Sequence, residues 1–289
     1  MSLKSYIGMQ NTIADEVAAK YDRVYMVVTT EDGTEHTCEM LVAEDGTKYF
    51  EYGVAAKEMG DLLDIDLYGE KDGKTYIGQS IEDWSVRAEC LARLDSYYPW
   101  YDYAENDYYK KVCDIVVNLL AYGAEAQKVF DYKEDSLVTD GVKAEYLALI
   151  PTEELALEAM PTLDHQGKQV TAYDISLQLN ETIELFVMYS MGVTDFSDYR
   201  AVVVYNGEEY EAEIVQYPGY PGYSYIVFND LLANDLRDDI SLTVYKGETA
   251  MSATYTFSVE NVAAAKKASY PELIKAMMHY SDAAKAMFG

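Results

Sequence analysis

Two short stretches gather aromatic rings more densely than the rest of the chain. SYYPWYDYAENDYY, residues 96–109, contains Tyr97, Tyr98, Trp100, Tyr101 and Tyr103, followed by Tyr108 and Tyr109. YPGYPGYSY, residues 217–225, contains Tyr217, Tyr220 and Tyr223. Tyr and Trp present a flat apolar face with a polar edge, which suits stacking on a sugar ring or against a protein partner. Proline and glycine stiffen such loops and expose them. Tyr97, Tyr98, Trp100, Tyr101, Tyr103, Tyr217, Tyr220 and Tyr223 are therefore the candidate ligand-contacting residues, for a glycan or a host or partner protein. The alternative is that these rings seal one lobe against another or cover sheet edges, because large exposed apolar patches are uncommon on soluble monomers. Exposure of Trp100 and Tyr220 separates the two readings.

Other chemistry has less to stand on. Glycoside hydrolysis needs two carboxyl groups at a fixed separation across a cleft, and a chain with 51 acidic residues supplies such pairs by chance. Glu209, Glu211 and Glu213 alternate with Tyr210, Ala212 and Ile214, so those acids belong to a wet strand face. His36 and Cys38, two apart on a strand, have metal-ligand spacing. A second stretch of the chain places Tyr210 and Ala212 in the same pattern, which favours a core role. The remaining histidines are His165 and His279, and no nucleophile elbow, phosphate loop, dinucleotide fingerprint or H-E-x-x-H is present. The EF-hand calcium loop is absent as well. The expectation is a protein that is not an enzyme, with no cofactor and no metal.

The charge is lopsided: 51 acidic against 22 basic residues give −29, with a pI near 4.2. Such a surface repels phosphate backbones and anionic lipid, which excludes nucleic acid as a partner. No apolar run reaches the roughly 18 residues of a membrane span. The first residues do not form a signal peptide, and the start is read as an artificial boundary. Three cysteines without CxxC spacing suggest neither a disulfide framework nor a zinc site. Whether Cys90 and Cys113 pair is left open.

The elements that carry these residues follow a repeating plan. Ile115, Leu119, Tyr122, Ala126 and Val129 mark one helix face in residues 112–130, and Leu273, Met277, Tyr280, Ala284 and Met287 repeat it at the C-terminal end. Residues 7–28 align without gaps to 183–204. Strand, turn and strand follow in each copy, with Asp32-Gly33 and Asn206-Gly207 as turn signals. Asp83 and Asn261 stand where helix N-caps are expected. Tyr173, Ile175, Leu177 and Leu179 alternate as one core face of a further strand. Its counterpart would fall at or before the first residue, leaving lobe one a strand short with an open sheet edge. The boundaries are lobe 1 over residues 4–132, a linker over 133–168 and lobe 2 over 169–289. The fold class is mainly β with helices (α+β): two tandem immunoglobulin-like β-sandwich lobes from an internal duplication, each followed by an amphipathic helix that packs on a sheet.

GVAAKEMGDLLDIDLYGEKDGKTYIG, LLAYGAEAQKVFDY and LTVYKGETAMSATYTFSVENVAAAKK together resemble a duplicated β-rich module of large secreted or surface proteins of gut Clostridia and ruminococci. The resemblance spans nearly the whole chain. It implies an extracellular location, with a signal peptide and further modules outside this sequence, and no catalytic residues. From the residues and the resemblance together, the expected function is a non-catalytic module for ligand or glycan binding or adhesion. The alternative is a structural spacer that positions neighbouring domains.

Overall fold

A computed structural model describes residues 7–43, 45–102, 106–179, 183–229 and 231–289. The chain is a strand-rich α+β protein whose sheets are antiparallel. It forms two compact units, Tyr6–Ile150 and Pro151–Gly289. The stretch read as a linker is thereby shared, with 133–150 in the first unit and 151–168 in the second.

The N-terminal unit runs β1 (Ile7–Ile13), α1 (Asp15–Ala18), β2 (Arg23–Thr29), β3 (Glu35–Glu39), β4 (Leu41–Val42), β5 (Lys48–Val54), β6 (Leu63–Lys71) and β7 (Lys74–Trp84). Then come α2 (Val86–Tyr97), α3 (Asp107–Val129) and α4 (Ala144–Leu147). One sheet has the order β3-β2-β6-β7 and the other β1-β5-β4. Val24, Met26 and Val28 alternate inward from β2 and meet Ile65 of β6 and Phe50 of β5 in the core. His36 and Cys38 are half-buried on β3, and the His36 ring lies 5.4 Å from Tyr52. Among the described residues, the edge of β1 away from β5 carries no strand.

The helices depart from the sequence reading in two respects. The cap of α2 is Ser85, not Asp83: β7 continues to Trp84, and the Ser85 hydroxyl accepts from the Ala88 amide at 3.1 Å. On α3 the fully buried residues include Cys113, Val116, Val117, Leu120, Gly123 and Gln127, whereas Ile115, Leu119 and Val129 are only half-buried. The face is rotated because α3 packs chiefly against α2 and the 3-10 turn at Ala56–Glu58, not on a sheet. Residues 133–150 are tied down through buried Gln127, whose side-chain Oε1 accepts from the Val138 amide at 2.8 Å, and through Arg87, which donates to the Val138 and Asp140 carbonyls.

The C-terminal unit runs β8 (Thr171–Leu179), β9 (Ile183–Ser190), β10 (Tyr199–Tyr205), β11 (Glu208–Ala212), β12 (Ile214–Gln216), β13 (Tyr223–Phe228), β14 (Ile240–Lys246), β15 (Thr249–Ala250), β16 (Tyr255–Phe257), α5 (Val259–Lys266) and α6 (Pro271–Phe288). One sheet has the order β12-β13-β9-β8; the other is β11-β10-β14-β15, with β16 also on β14. Asn206 and Gly207 both have positive φ, 54° and 78°, as a type I′ hairpin turn requires. Asn261 is not the cap of α5. Ser258 is, and Asn261 answers it from the third helical position in a capping box. Leu273, Met277, Tyr280 and Ala284 of α6 are buried, mainly against α5 and the 3-10 turn at Ala233–Asp235. Residues 152–158 are strapped onto these helices: Lys275, His279 and Asn261 bond the carbonyls of Thr152, Glu153 and Glu158.

Candidate functional site

The first aromatic cluster is built where α2 gives way to α3. Pro99 sits in a 3-10 turn, Tyr98–Trp100, and Asn106 caps α3 by accepting from the Tyr108 amide. Tyr98 and Tyr101 are half-buried mortar in this corner. Tyr98 meets Tyr146 edge-on at 4.9 Å and stacks on Tyr101 at 6.0 Å. The Tyr101 hydroxyl donates to Asp114 Oδ1 at 3.0 Å. Burial, reinforced by that carboxylate, pushes the Tyr101 phenol up to about 12, and burial also raises the Asp114 carboxyl. Tyr97 packs on Tyr109 and Tyr108. Trp100 leans on Tyr109 at 6.4 Å yet is 53% exposed, and Tyr108 is exposed beside Tyr97. Tyr103 lies outside the described residues.

The second cluster follows from Tyr-Pro-Gly-Tyr-Pro-Gly-Tyr. The Tyr220 amide donates to the Tyr217 carbonyl and the Tyr223 amide to the Tyr220 carbonyl, each at 3.2 Å. Gly219 and Gly222 have φ of 80° and 87°. These are tandem type II turns: proline fixes φ at the second position, and only glycine takes the third without strain. The turns join β12 to β13 and hold Tyr220 61% exposed, with Tyr223 exposed and Tyr217 half-buried. Tyr217 contacts Tyr220 at 5.4 Å and Tyr225 at 6.4 Å.

Tyr97, Tyr98, Trp100 and Tyr101 thus form one group and Tyr217, Tyr220 and Tyr223 another, in separate units. The sequence reading missed Tyr173, Phe186 and Tyr225, which extend the second group. Tyr173 is not on the core face with Ile175. A bulge between Ala172 and Asp174 turns it outward, 68% exposed and 6.1 Å from Tyr223. Phe186 and Tyr225 lie 5.7 Å apart on neighbouring strands. A signal for Phe186 was present: in β9, IELFVMYS, Ile183, Leu185, Val187 and Tyr189 form the core set, which leaves Phe186 and Met188 on the other face with Glu184 and Ser190.

Across β12 from these rings, a groove of about 510 Å³ is lined by Phe196, Tyr199, Arg200, Glu211, Glu213 and Gln216, among others. Cys38, Cys90 and Cys113 are free thiols, and burial pushes Cys90 up to about 12. Among the described residues, no three His, Cys, Asp or Glu side chains group as metal ligands, and no helix is long and apolar enough to cross a membrane.

No protein-family model and no curated protein matches the chain. Among solved structures, a DUF4785 family protein from Legionella pneumophila is similar at 9% identity with a TM-score of 0.22. The match covers 90% of this chain and 54% of that protein, so the chain spans about half its length.

Proposed function

We propose that the chain is a non-catalytic binding module of a larger secreted or surface protein, contacting a glycan or protein ligand through outward-facing aromatic rings. The observation that carries this is the exposure of Trp100 and Tyr220 on well-defined turns, each braced by a second ring. An ordered aromatic face loses little conformational entropy on binding, and hot spots are enriched in Trp and Tyr. The secreted or surface setting rests on the sequence resemblance alone.

The same proposal takes each unit as an immunoglobulin-like sandwich and the two as copies of one ancestor. The strand orders support both points. The C-terminal sheets, β8-β9-β13-β12 and β11-β10-β14-β16, follow the A-B-E-D and C′-C-F-G arrangement of that fold. The N-terminal sheets repeat the order as β1-β5-β4 and β3-β2-β6-β7, with a 3-10 turn and two helices at matching places.

The competing reading is a spacer that binds nothing, and it draws on the bracing roles of Tyr98 and Tyr101. Affinity electrophoresis and calorimetry against host and plant glycans decide, comparing wild type with Trp100→Ala. We expect binding that weakens about tenfold or more on losing the indole. Equal binding by both proteins removes Trp100 from the contact surface.

A further inference from the structure

The outer face of the β12-β13-β9-β8 sheet has the wrong chemistry for an ordinary wet face. Ile183, Leu185, Val187 and Tyr189 of β9 point into the core. The opposite phase carries Phe186 and Met188 between Glu184 and Ser190, two large apolar side chains where a wet face needs none. Strand pairing sets these among neighbours in rows. Val215, Tyr225, Met188 and Asp174 are successive partners in one row, and Val227, Phe186 and Ser176 in the next. A third row holds Tyr223, Ser190 and Thr171, and the exposed Tyr173 ring lies 6.1 Å from Tyr223. The sheet of corresponding order in the N-terminal unit is different. There Gln10 pairs with Glu51, Thr12 with Tyr49 and Gly8 with Gly53, opposite in phase to buried Phe50 and Val54. One topology, with Tyr49 and Leu41 among polar and small residues on this face in one unit and several rings on it in the other, shows that the fold does not demand the aromatic cluster.

We propose that this face, bounded by the Tyr-Pro-Gly turns, binds a neutral polysaccharide chain, with Tyr173, Tyr223, Tyr225 and Phe186 stacking on its sugar rings. The proposal rests on the binding-module reading and assigns it a site and a ligand class. Charge selects the occupant. None of the rows carries Lys or Arg, so uronate, sulfate or phosphate groups would find no cation there. A net charge of −29 repels such polymers and a second copy of the chain alike. A cationic peptide would be drawn instead to Glu209, Glu211 and Glu213, which are exposed on the edge of the other sheet. The polar members between the rings, Asp174, Ser176, Ser190 and Thr171, are short hydrogen-bonding groups matched to sugar hydroxyls, while the ring faces match the CH faces of pyranoses.

The test is affinity electrophoresis of the full chain in gels containing glucomannan, arabinoxylan or amylopectin, with polygalacturonate and poly-lysine as separate arms. Tyr173→Ala, Tyr223→Ala and their double variant change exposed rings, and unaltered circular dichroism and Tm confirm that each folds. We expect retardation by at least one neutral polymer, weakened about tenfold or more in the double variant. Equal retardation of the double variant overturns the proposal, as does binding to polygalacturonate or poly-lysine alone. Should the loss follow Trp100→Ala and spare the tyrosine variants, this site is wrong and the binding-module reading stands. Should no arm bind the wild type, the polysaccharide proposal falls and the binding-module reading is left with a protein ligand alone.

Discussion

Gly123 sits on the buried side of α3, where the helix meets the 3-10 turn at Ala56–Glu58. A Cβ built there would lie 2.6 Å from Met59 Sδ, 3.1 Å from the Ala56 carbonyl oxygen and 3.1 Å from Val138 Cγ2. Two effects oppose each other in Gly123→Ala. Helix propensity favours alanine by about 1 kcal/mol, whereas overpacking a close-fitted core costs about 1–3 kcal/mol. The Met59 side chain can rotate, but the Ala56 carbonyl belongs to the backbone of the turn, so the steric cost wins. We expect a net loss of about 1–2 kcal/mol in denaturant unfolding followed by tryptophan fluorescence, since Trp84 and Trp100 both lie in this unit. A more stable variant would mean that the turn moves aside freely.

At the scale of elements, α5 shows how a short helix is held. It has eight residues, too few to persist alone. Its start is fixed by reciprocal bonds between Ser258 and Asn261, and the Asn261 amide also reaches the Glu158 carbonyl at 3.2 Å. All of this is buried or nearly so, so an unmade bond costs desolvation as well. Ser258→Ala should lower stability by about 1–2 kcal/mol. Ser258→Thr should recover much of that loss, because threonine offers the same acceptor. Far-UV circular dichroism in urea reads both; equal stability of the alanine variant and wild type would show that the cap carries no weight. Beside it, Arg237 bridges Glu260 and Asp282 and ties the 3-10 turn at Ala233–Asp235 to α5 and α6.

Across the whole molecule, the charge of −29 sets the dominant electrostatic condition. Ion pairs such as Arg23 with Glu39 and Lys143 with Asp95 are exposed, and solvent screening leaves pairs of that kind little net contribution to stability. Salt weakens them, but it also screens repulsion among carboxylates that outnumber the cations by more than two to one. The second effect is larger. Raising NaCl from low to near-molar concentration at pH 7 should therefore raise Tm; a falling Tm would show that the ion pairs outweigh the self-repulsion.

What the sequence determined by itself is local. The Tyr-Pro-Gly repeats dictate tandem type II turns, because proline and glycine each admit little else at those positions, and Asn206-Gly207 dictates a hairpin turn for the same reason. Alternation in β8 and β11 marked strands, and periodicity marked α3 and α6. Tertiary structure decided which side of each element faces what. In β9 the alternation itself assigns Leu185 to the core and Phe186 to the other face, but that Phe186 lies against Tyr225 there is set by strand pairing. In β8 a bulge, invisible to a two-residue period, reverses Tyr173. On α3 the partner is α2 and a 3-10 turn, so its buried stripe is rotated from the one that periodicity marked. Ser85 and Ser258 become caps only because their strands run on to meet them. Side-chain type limits the backbone at single positions; burial depends on what the rest of the chain brings alongside.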